Sequence, residues 1–390
     1  MKEDGRTLAA RGAAAGVSTA AGRSPPLRVG FVPLTDAAPL VVAHEQGYFA
    51  DEGLRVRLER QIGWGNIRDK LTFGQLDAAH ALLGMPLLSV LGREPFAEPL
   101  VAVMNLGVGA DAITFGRRLS EAGVATAAGL AEWCRGGRVV PVLAHVFGCS
   151  VHHYLLRAWL AAGGVNPDRD VRLCVLPPPQ VGRHLEKEYI DGYCCGEPYN
   201  TVAATAGYAK LVAVTTDVVP GHPEKVLAVT RRWADHHPDV LPRMCRAVLR
   251  GLQFCDDDRN LPAVAETLAR PEYLAVPAGA VHRSLTLLRT FSGPGAARAV
   301  GPADWRGRPF SPGSAFPSVT HHAWYAGQMA RWGHLEPGVD AAEVAAACVS
   351  AEAYREAAAS LGVACPDEDA PPMRLRNGTF TIEPPLVAAG

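Results

Sequence analysis

The sequence predicts an α/β protein with two lobes, each built on a doubly wound parallel sheet. Segments typical of strands alternate with segments typical of helices from Leu27 onward, which is the pattern of parallel sheets covered by helices. The pattern starts again near residue 137. Both units contain a helix, a turn with aspartate and a short buried strand, written QLDAAHA at 75–81 and YIDGYCC at 189–195. We therefore expect one ligand in a cleft between two similar lobes, beyond the carboxyl ends of the strands.

The two units are expected to be joined by crossovers near 110–120 and 215–225. The first 26 residues lack the continuous apolar core of a secretory signal, because polar residues such as Arg6 and Arg11 interrupt it. A disordered tail is expected there, with a degenerate export signal or a misplaced start codon as alternatives. The expected parts are a tail over 1–26, lobe 1 over 27–115 plus 226–365, lobe 2 over 116–225 and a C-terminal tail over 366–390.

Composition excludes several classes of protein. The chain has 390 residues, 48% of them hydrophobic and 20% charged, with a net charge of −1, so direct binding of nucleic acid is not expected. No run of eighteen apolar residues exists, so no transmembrane helix is expected. The nine cysteines form no CxxC pair, which favours free thiols in a reducing cytoplasm over a disulfide framework.

Hydrophobic patterning defines the elements of the first unit. Segment 54–60 alternates apolar and polar residues as a half-buried strand does. Ile67 and Leu71 give the next helix one apolar face. The helix after the first strand is expected to be capped by Thr35 or Asp36. The predicted strands of this unit are 27–34, 54–60, 76–83, 101–105 and 111–116.

The second unit repeats this order, and a helical region follows it. A helix over 150–164 carries an apolar stripe and stops at two glycines. From Pro223 onward the chain is predicted to be largely helical, interrupted by a Gly/Pro-rich surface loop over 292–318. The predicted strands of the second unit are 137–144, 170–176, 190–195 and 210–216.

The predicted helix at Pro223 gives Lys225 an unusual position. A lysine in the first helical turn faces free N–H groups and the positive end of the helix dipole, which is unfavourable by a few tenths of a kcal/mol. Either Lys225 extends into water or this helix end is built around an anion.

Seven segments, in order, resemble the nitrate/bicarbonate-binding family of ABC-transporter solute receptors, in particular its nitrate/nitrite-binding branch. They are RVGFVPLTDAAPLVVAHEQGYFADEGL, WGNIRDKLTFGQLDAAHALLGMPL, WLAAGGVNPDRDV, VLPPPQV, IDGYCCGEPYN, GHPEKVLAVTRRW and HHAWYAGQMARWG. The resemblance covers roughly 27–365 and implies a two-lobed type II periplasmic-binding-protein-like fold. One soluble cytoplasmic branch of the family comprises nitrate/nitrite sensors that hold an RNA-binding antiterminator.

The resemblance also implies a set of ligand-binding residues. The family's tryptophan, histidine and lysine contacts correspond here to Trp64, His152 and Lys225. The family's glutamine corresponds to Asp111, which is a departure because a carboxylate repels a monoanion unless it is protonated or turned away. Lysine at 225, where the bicarbonate branch typically has an acidic residue, favours nitrate or nitrite. Replacing Lys225 with alanine is then expected to abolish nitrate binding and leave the melting temperature unchanged.

The chemistry of these residue types suits a planar monoanion. Lys225 supplies a charge, His152 can donate from one or both ring nitrogens, and the Trp64 indole offers an N–H and a flat face. Glu197 has the wrong sign for an anion contact and is interpreted as a structural or hinge group. No cofactor is expected, and no metal, because adjacent histidine pairs make poor chelates. Motifs for nucleophilic, nucleotide-dependent or dinucleotide-dependent catalysis are absent, so no enzyme is expected.

Two functions remain open at this point. The first is a cytoplasmic nitrate/nitrite sensor that controls nitrate assimilation through a bound antitermination regulator. The alternative is the substrate-binding component of an ABC importer of nitrate or a related small anion, which would work with a permease outside the cytoplasm, in the periplasm or anchored to a membrane. The unpaired thiols and the missing signal peptide favour the sensor.

Overall fold

Two mixed five-stranded sheets form the centres of two lobes. The computed structural model describes residues 25–92, 98–109, 111–137, 139–290 and 308–365, so the predicted tails and most of the loop at 292–318 lie outside the described residues. The first sheet has the order β2-β1-β3-β10-β4 and the second β7-β6-β8-β5-β9. The strands are β1 Leu27–Phe31, β2 Val56–Arg60, β3 Ala78–Leu82, β4 Leu100–Asn105, β5 Asp111–Gly116, β6 Val142–His145, β7 Arg172–Val175, β8 Gly192–Gly196, β9 Ala209–Val214 and β10 Lys225–Thr230.

Each sheet contains one antiparallel strand, which corrects the prediction of purely parallel sheets. β1 pairs in parallel with β2 and β3, whereas β10 is antiparallel to β3 and β4. In the second sheet β5 is antiparallel to β8 and β9. The antiparallel strand is in both cases the one by which the chain enters from the other lobe, and local patterning does not encode that direction. The sheets change between β4 and β5 and again between β9 and β10, so from here on lobe 1 means the part built on the first sheet, with Lys225, and lobe 2 the part built on the second, with Asp111. The division of the chain at 115 and 225 itself stays a prediction.

Helices cover both sheets. They are α1 Ala38–Glu45, α2 Tyr48–Asp51, α3 Trp64–Thr72, α4 Gly84–Val90, α5 Arg117–Glu121, α6 Ala127–Arg135, α7 Val151–Ala162, α8 Pro178–Glu186, α9 Tyr199–Thr205, α10 Thr215–Val218, α11 Arg231–His236, α12 Val240–Asp256, α13 Leu261–Ala269, α14 Ala278–Thr290, α15 Val319–Arg331, α16 Ala341–Ala347 and α17 Glu352–Ser360. The long helix α12 packs on α1. Gly251 permits their close approach, because a Cβ there would lie 2.2 Å from the Pro39 carbonyl oxygen. Within the described ranges no helix is long and apolar enough to span a membrane.

The segment after Pro223 is a strand rather than the predicted helix. The run Val226–Val229 is apolar throughout and fully buried in the centre of the first sheet. Such a short apolar run fits a buried strand or a buried helix equally well, so periodicity alone could not separate them. The helix begins only at Arg231, where the Thr230 side chain accepts a hydrogen bond from the Trp233 N–H.

Direct contacts join the two lobes around the cleft. The Thr35 N–H of lobe 1 donates to the Glu197 carbonyl of lobe 2 at 2.8 Å. On the other side, the Tyr325 hydroxyl donates to the Cys149 carbonyl at 2.6 Å, and the Tyr154 hydroxyl lies 2.8 Å from His334 Nδ1. The lobes are therefore held together on both sides of the groups described next.

Candidate ligand-binding site

The four side chains predicted as ligand contacts come together between the two sheets. In lobe 1, Trp64 opens α3 and Lys225 opens β10. In lobe 2, Asp111 opens β5 and His152 lies in the first turn of α7. All four lie at the edge where the parallel strands end, which is where open α/β sheets bind ligands. Their contact with a ligand stays a prediction.

Lys225 is buried and already has two carboxylate partners. Its Nζ lies 2.8 Å from Asp36 Oδ2 and also donates to Glu224 Oε1, and the ammonium stands 5.3 Å from the centre of the Trp64 ring. The predictions of a solvated lysine or of a lysine at an anion-binding helix end are therefore both wrong. Lys225 begins a strand, and its negative partners belong to the chain itself.

Asp36 holds Lys225 on one side and His80 on the other. His80 Nε2 lies 2.9 Å from Asp36 Oδ1, and the Val32 N–H points to His80 Nδ1 at 3.4 Å. Because Nδ1 accepts a hydrogen bond, the ring proton belongs on Nε2, facing Asp36. Burial lowers the pKa of His80, and the attraction of Asp36 offsets this only in part, so the ring is neutral near pH 7. The predicted capping role of Asp36 is wrong, since Ala37 precedes α1 and no side chain caps it.

His152 lies between two carboxylates that a single N–H cannot satisfy together. Its Nε2 lies 2.9 Å from Asp111 Oδ1 and 3.0 Å from Glu224 Oε1, and all three side chains are buried. Neither nitrogen of His152 and neither oxygen of Asp111 has a well-aligned hydrogen bond. Burial lowers the pKa of His152, which Asp111 offsets only in part. Burial works to raise the pKa of Asp111, but its contacts with the His152 ring and the nearby Lys225 ammonium lower it on balance, so Asp111 is ionised.

The site carries more negative than positive charge. Asp36, Asp111 and Glu224 are three buried carboxylates, Lys225 is one ammonium, and the imidazoles beside them are neutral near pH 7. This leaves two uncompensated negative charges. A bare monoanion would meet repulsion from this set, so anion binding needs a compensating cation or a change in the arrangement.

Trp64 presents an unused donor in the same place. The side chain is 1% exposed, its ring stacks at a tilt on His80 with centres 5.3 Å apart, and its indole N–H has no hydrogen-bond partner. A buried donor without a partner costs stability. A ligand oxygen would supply the missing acceptor.

A small cavity borders Asp36, Glu224 and Lys225. Its other wall is the backbone at Gly109, with the Phe310 side chain close by. Gly109 has φ +51°, and a Cβ there would lie 2.1 Å from Thr216 Cγ2, so only glycine fits. The space has room for about one water molecule. A ligand of four heavy atoms such as nitrate therefore requires the Lys225–Glu224 contact to open.

Glu197 lies beside the cleft at the end of β8 and has an incomplete set of partners. Its Oε2 accepts a hydrogen bond from the Thr201 N–H at 3.1 Å, whereas Oε1 has none. Burial raises the pKa of Glu197 from 4.5 to about 7. Its main-chain link to Thr35 across the lobes agrees with the structural interpretation made from the sequence.

We expect Glu197→Gln to stabilise the protein above pH 7 and to make no difference near pH 4. Because the folded-state pKa lies above the unfolded value, the folded form binds more protons between pH 4.5 and 7, and wild-type stability falls as pH rises through that window. The loss corresponds to about 3 kcal/mol at pH 8. Urea unfolding at pH 4 and pH 8 measures it, with exposed Glu186→Gln as the control. If Glu197→Gln and the wild type differed in free energy of unfolding by the same amount at both pH values, the raised pKa of Glu197 would be contradicted.

Three charged or titratable groups of the site were missed by sequence reasoning. Asp36 was interpreted as a helix cap, and His80 and Glu224 were not singled out. A signal existed for two of them, because Asp36 directly follows a predicted strand and Glu224 precedes the lysine already selected. His80 lies inside an apolar strand segment and gave no signal.

Two α/β lobes that enclose buried polar groups at the ends of their sheets define a two-lobed solute-binding protein. The family profile of the NMT1-like family matches residues 20–269. The chain belongs to the NMT1-like family. The solved structures that it resembles are structures of binding proteins.

The chain is similar to components of nitrate and bicarbonate import systems. It is 35% identical to the nitrate import ATP-binding protein NrtC of Synechocystis sp. PCC 6803 over 80% of this chain and 46% of NrtC. It is also 35% identical to the bicarbonate transport ATP-binding protein CmpC of Synechococcus elongatus PCC 7942, over 79% of this chain and 45% of CmpC. The chain thus spans about half the length of these relatives.

A solved structure matches over most of both chains. The crystal structure of the periplasmic nitrate-binding protein NrtA from Synechocystis PCC 6803 superimposes with a TM-score of 0.79 at 28% identity, covering 86% of this chain and 89% of NrtA. This confirms the two-lobed periplasmic-binding-protein fold and the resemblance to nitrate-binding receptors. None of these relatives is a cytoplasmic sensor, so the comparisons favour the importer alternative over the sensor interpretation.

Proposed function

We propose that the chain is the ligand-binding component of an ABC-type importer of a small inorganic anion, with nitrate or nitrite as the first candidates. The observation that carries the proposal is the meeting of Trp64, His152 and Lys225, buried between two lobes, with the Trp64 N–H free to donate. The relatives named for nitrate import support it. Binding would favour the closed arrangement of the lobes through its differential affinity, which a transporter can recognise.

The importer role replaces the sensor role as the leading proposal. The proposed location of the protein therefore changes from the cytoplasm to a place outside it. The structural relative is periplasmic, so we infer a location outside the cytoplasm and an ABC permease as partner rather than an antitermination regulator. Cell fractionation tests this. Recovery only from the cytosol, in a complex with an RNA-binding regulator, would contradict the importer role.

Calorimetric titration with nitrate, nitrite, bicarbonate and a small alkanesulfonate tests the ligand class. We expect heat of binding with nitrate or nitrite and none with the sulfonate, because the cavity must widen even for a four-atom anion and an organic tail would need still more space. Bicarbonate is the second candidate, because the chain is as similar to a bicarbonate transport component as to a nitrate one. Strong binding of the sulfonate alone would overturn the proposal.

Trp64→Phe is expected to weaken nitrate binding at least tenfold and to leave the fold intact. Phenylalanine keeps the ring against His80 but removes the N–H, and a hydrogen bond to a charged group contributes roughly 1.5–3 kcal/mol. Calorimetry measures the change, with Trp233→Phe, in α11 on the outside of lobe 1, as the matched control. Equal loss in both variants would mean that Trp64 does not contact the anion.

A further inference from the structure

We propose that Asp111, His152 and Glu224 bind a divalent transition-metal ion, for which Zn²⁺ is the probe. The ion would lie in the same cleft as the anion. The metal site itself stands on the geometry of these three residues, whereas its effect on the anion rests on the proposed function.

The three ligand atoms already converge on one point. Asp111, His152 and Glu224 each offer one atom, and these atoms all lie within 4.8 Å of one another. His152 Nε2 is 2.9 Å from Asp111 Oδ1 and 3.0 Å from Glu224 Oε1. Ligands bound to zinc at about 2.1 Å in a tetrahedron lie about 3.4 Å apart. Each His152–carboxylate distance would therefore change by only a few tenths of an ångström on coordination, and no pair of the three atoms would have to approach by more than about 1.4 Å.

Unsatisfied polar atoms point to a missing partner at this place. Both oxygens of Asp111, both ring nitrogens of His152 and Glu224 Oε2 are buried and have no hydrogen bond. Buried polar atoms are almost always paired, and several unpaired ones around one point need a common explanation. A metal ion would accept lone pairs from all three residues at once, which no single hydrogen bond of His152 can do.

The charge of the site agrees with a divalent ion. The carboxylates of Asp36, Asp111 and Glu224 exceed the ammonium of Lys225 by two negative charges when the imidazoles are neutral. One divalent cation balances this excess. Lys225 can remain on Asp36 at 2.8 Å, so that the ammonium and the metal ion use different carboxylates as their main partners. An anion entering beside them would then meet a neutral rather than a negative site.

The ligand set selects the kind of ion. One imidazole nitrogen with two carboxylate oxygens suits zinc and its transition-metal neighbours, whereas calcium prefers six to eight oxygen ligands. Two protons on His80 and His152 would balance the charge equally well. In that case the wild type would show no tight zinc site in the titration described next.

Calorimetric titration of the EDTA-treated full chain with ZnCl₂ tests the site. We expect one tight site in the wild type and an affinity at least 100-fold weaker in Asp111→Asn and in His152→Gln. His184→Gln, a half-buried histidine of α8 in lobe 2, is the control for adventitious binding and should keep the tight site. Equal zinc affinity in the wild type, Asp111→Asn and His152→Gln, or a tight site that His184→Gln removes, would overturn the proposal.

Two further measurements separate folding and anion binding from metal binding. Zinc should raise the melting temperature of the wild type but not of Asp111→Asn, whose metal-free form should melt no lower than the wild type. Nitrate affinity should be higher with zinc than with EDTA. Zinc binding without any nitrate binding would refute the proposed function and leave the metal site standing. If the wild type showed no tight zinc site and bound nitrate equally well with and without zinc, the metal site would be refuted and the proposed function would stand.

Discussion

Lys225→Met should destabilise the protein by about 3–5 kcal/mol and abolish anion binding, because it leaves the buried carboxylates of Asp36 and Glu224 without their cation. Methionine is only one heavy atom shorter than lysine, so the loss reports mainly the charge and not a cavity. The unchanged melting temperature expected from the sequence assumed a lysine with no partner inside the protein. Urea unfolding at pH 7 measures the destabilisation.

The matched control is Lys210→Met, an exposed lysine on β9 of lobe 2. It removes the same charge from the protein as a whole but breaks no buried pair, so its effect should lie within about 0.5 kcal/mol. Similar free energies of unfolding for Lys225→Met and Lys210→Met would show that Asp36 and Glu224 do not depend on Lys225.

Asp111→Asn should tighten nitrate binding at least tenfold when both proteins are kept free of metal by EDTA. The variant removes one negative charge from a site that has two in excess, and two charges about 4 Å apart interact by several kcal/mol at the effective dielectric of a protein interior. The sequence comparison suggests glutamine at 111, but Asp111 is fully buried, so the isosteric asparagine avoids overpacking.

Calorimetry with nitrate at pH 7 measures this effect, and Asp239→Asn serves as the control because Asp239 is an exposed residue at the start of α12 that pairs with Arg243. Unchanged affinity in Asp111→Asn would mean that Asp111 is protonated or does not face the anion. With zinc present we expect the order to reverse, since the variant cannot bind the ion.

Local patterns were sufficient for the class of fold but not for strand direction. The alternation of strands and helices and the two equivalent motifs predicted two α/β lobes, which the structure confirms. Strand β10 was missed because its residues Val226–Val229 are all apolar, and a four-residue apolar run has no period to read. The antiparallel directions of β5 and β10 follow from where the chain enters each lobe, which is a property of the whole fold.

The residues of the site were predicted from the sequence, but their electrostatics were not. Trp64, Asp111, His152 and Lys225 were carried over from the family resemblance, and the structure brings them together. The electrostatics could not be predicted, because one partner of Lys225 is distant in sequence: Asp36 lies near the start of lobe 1, whereas Glu224 is the residue before the lysine. Only the folded arrangement shows that the lysine is neutralised and that the site as a whole is negative.

The position of β10 between β3 and β4 also bears on how the chain is made. The first sheet cannot be completed until residue 230 has left the ribosome, because before that β3 and β4 lack the strand that joins them. All five strands of the second sheet, between Asp111 and Val214, have by then been synthesised. The inserted lobe can therefore fold as a unit during translation, and the lobe that begins first in the sequence is finished last.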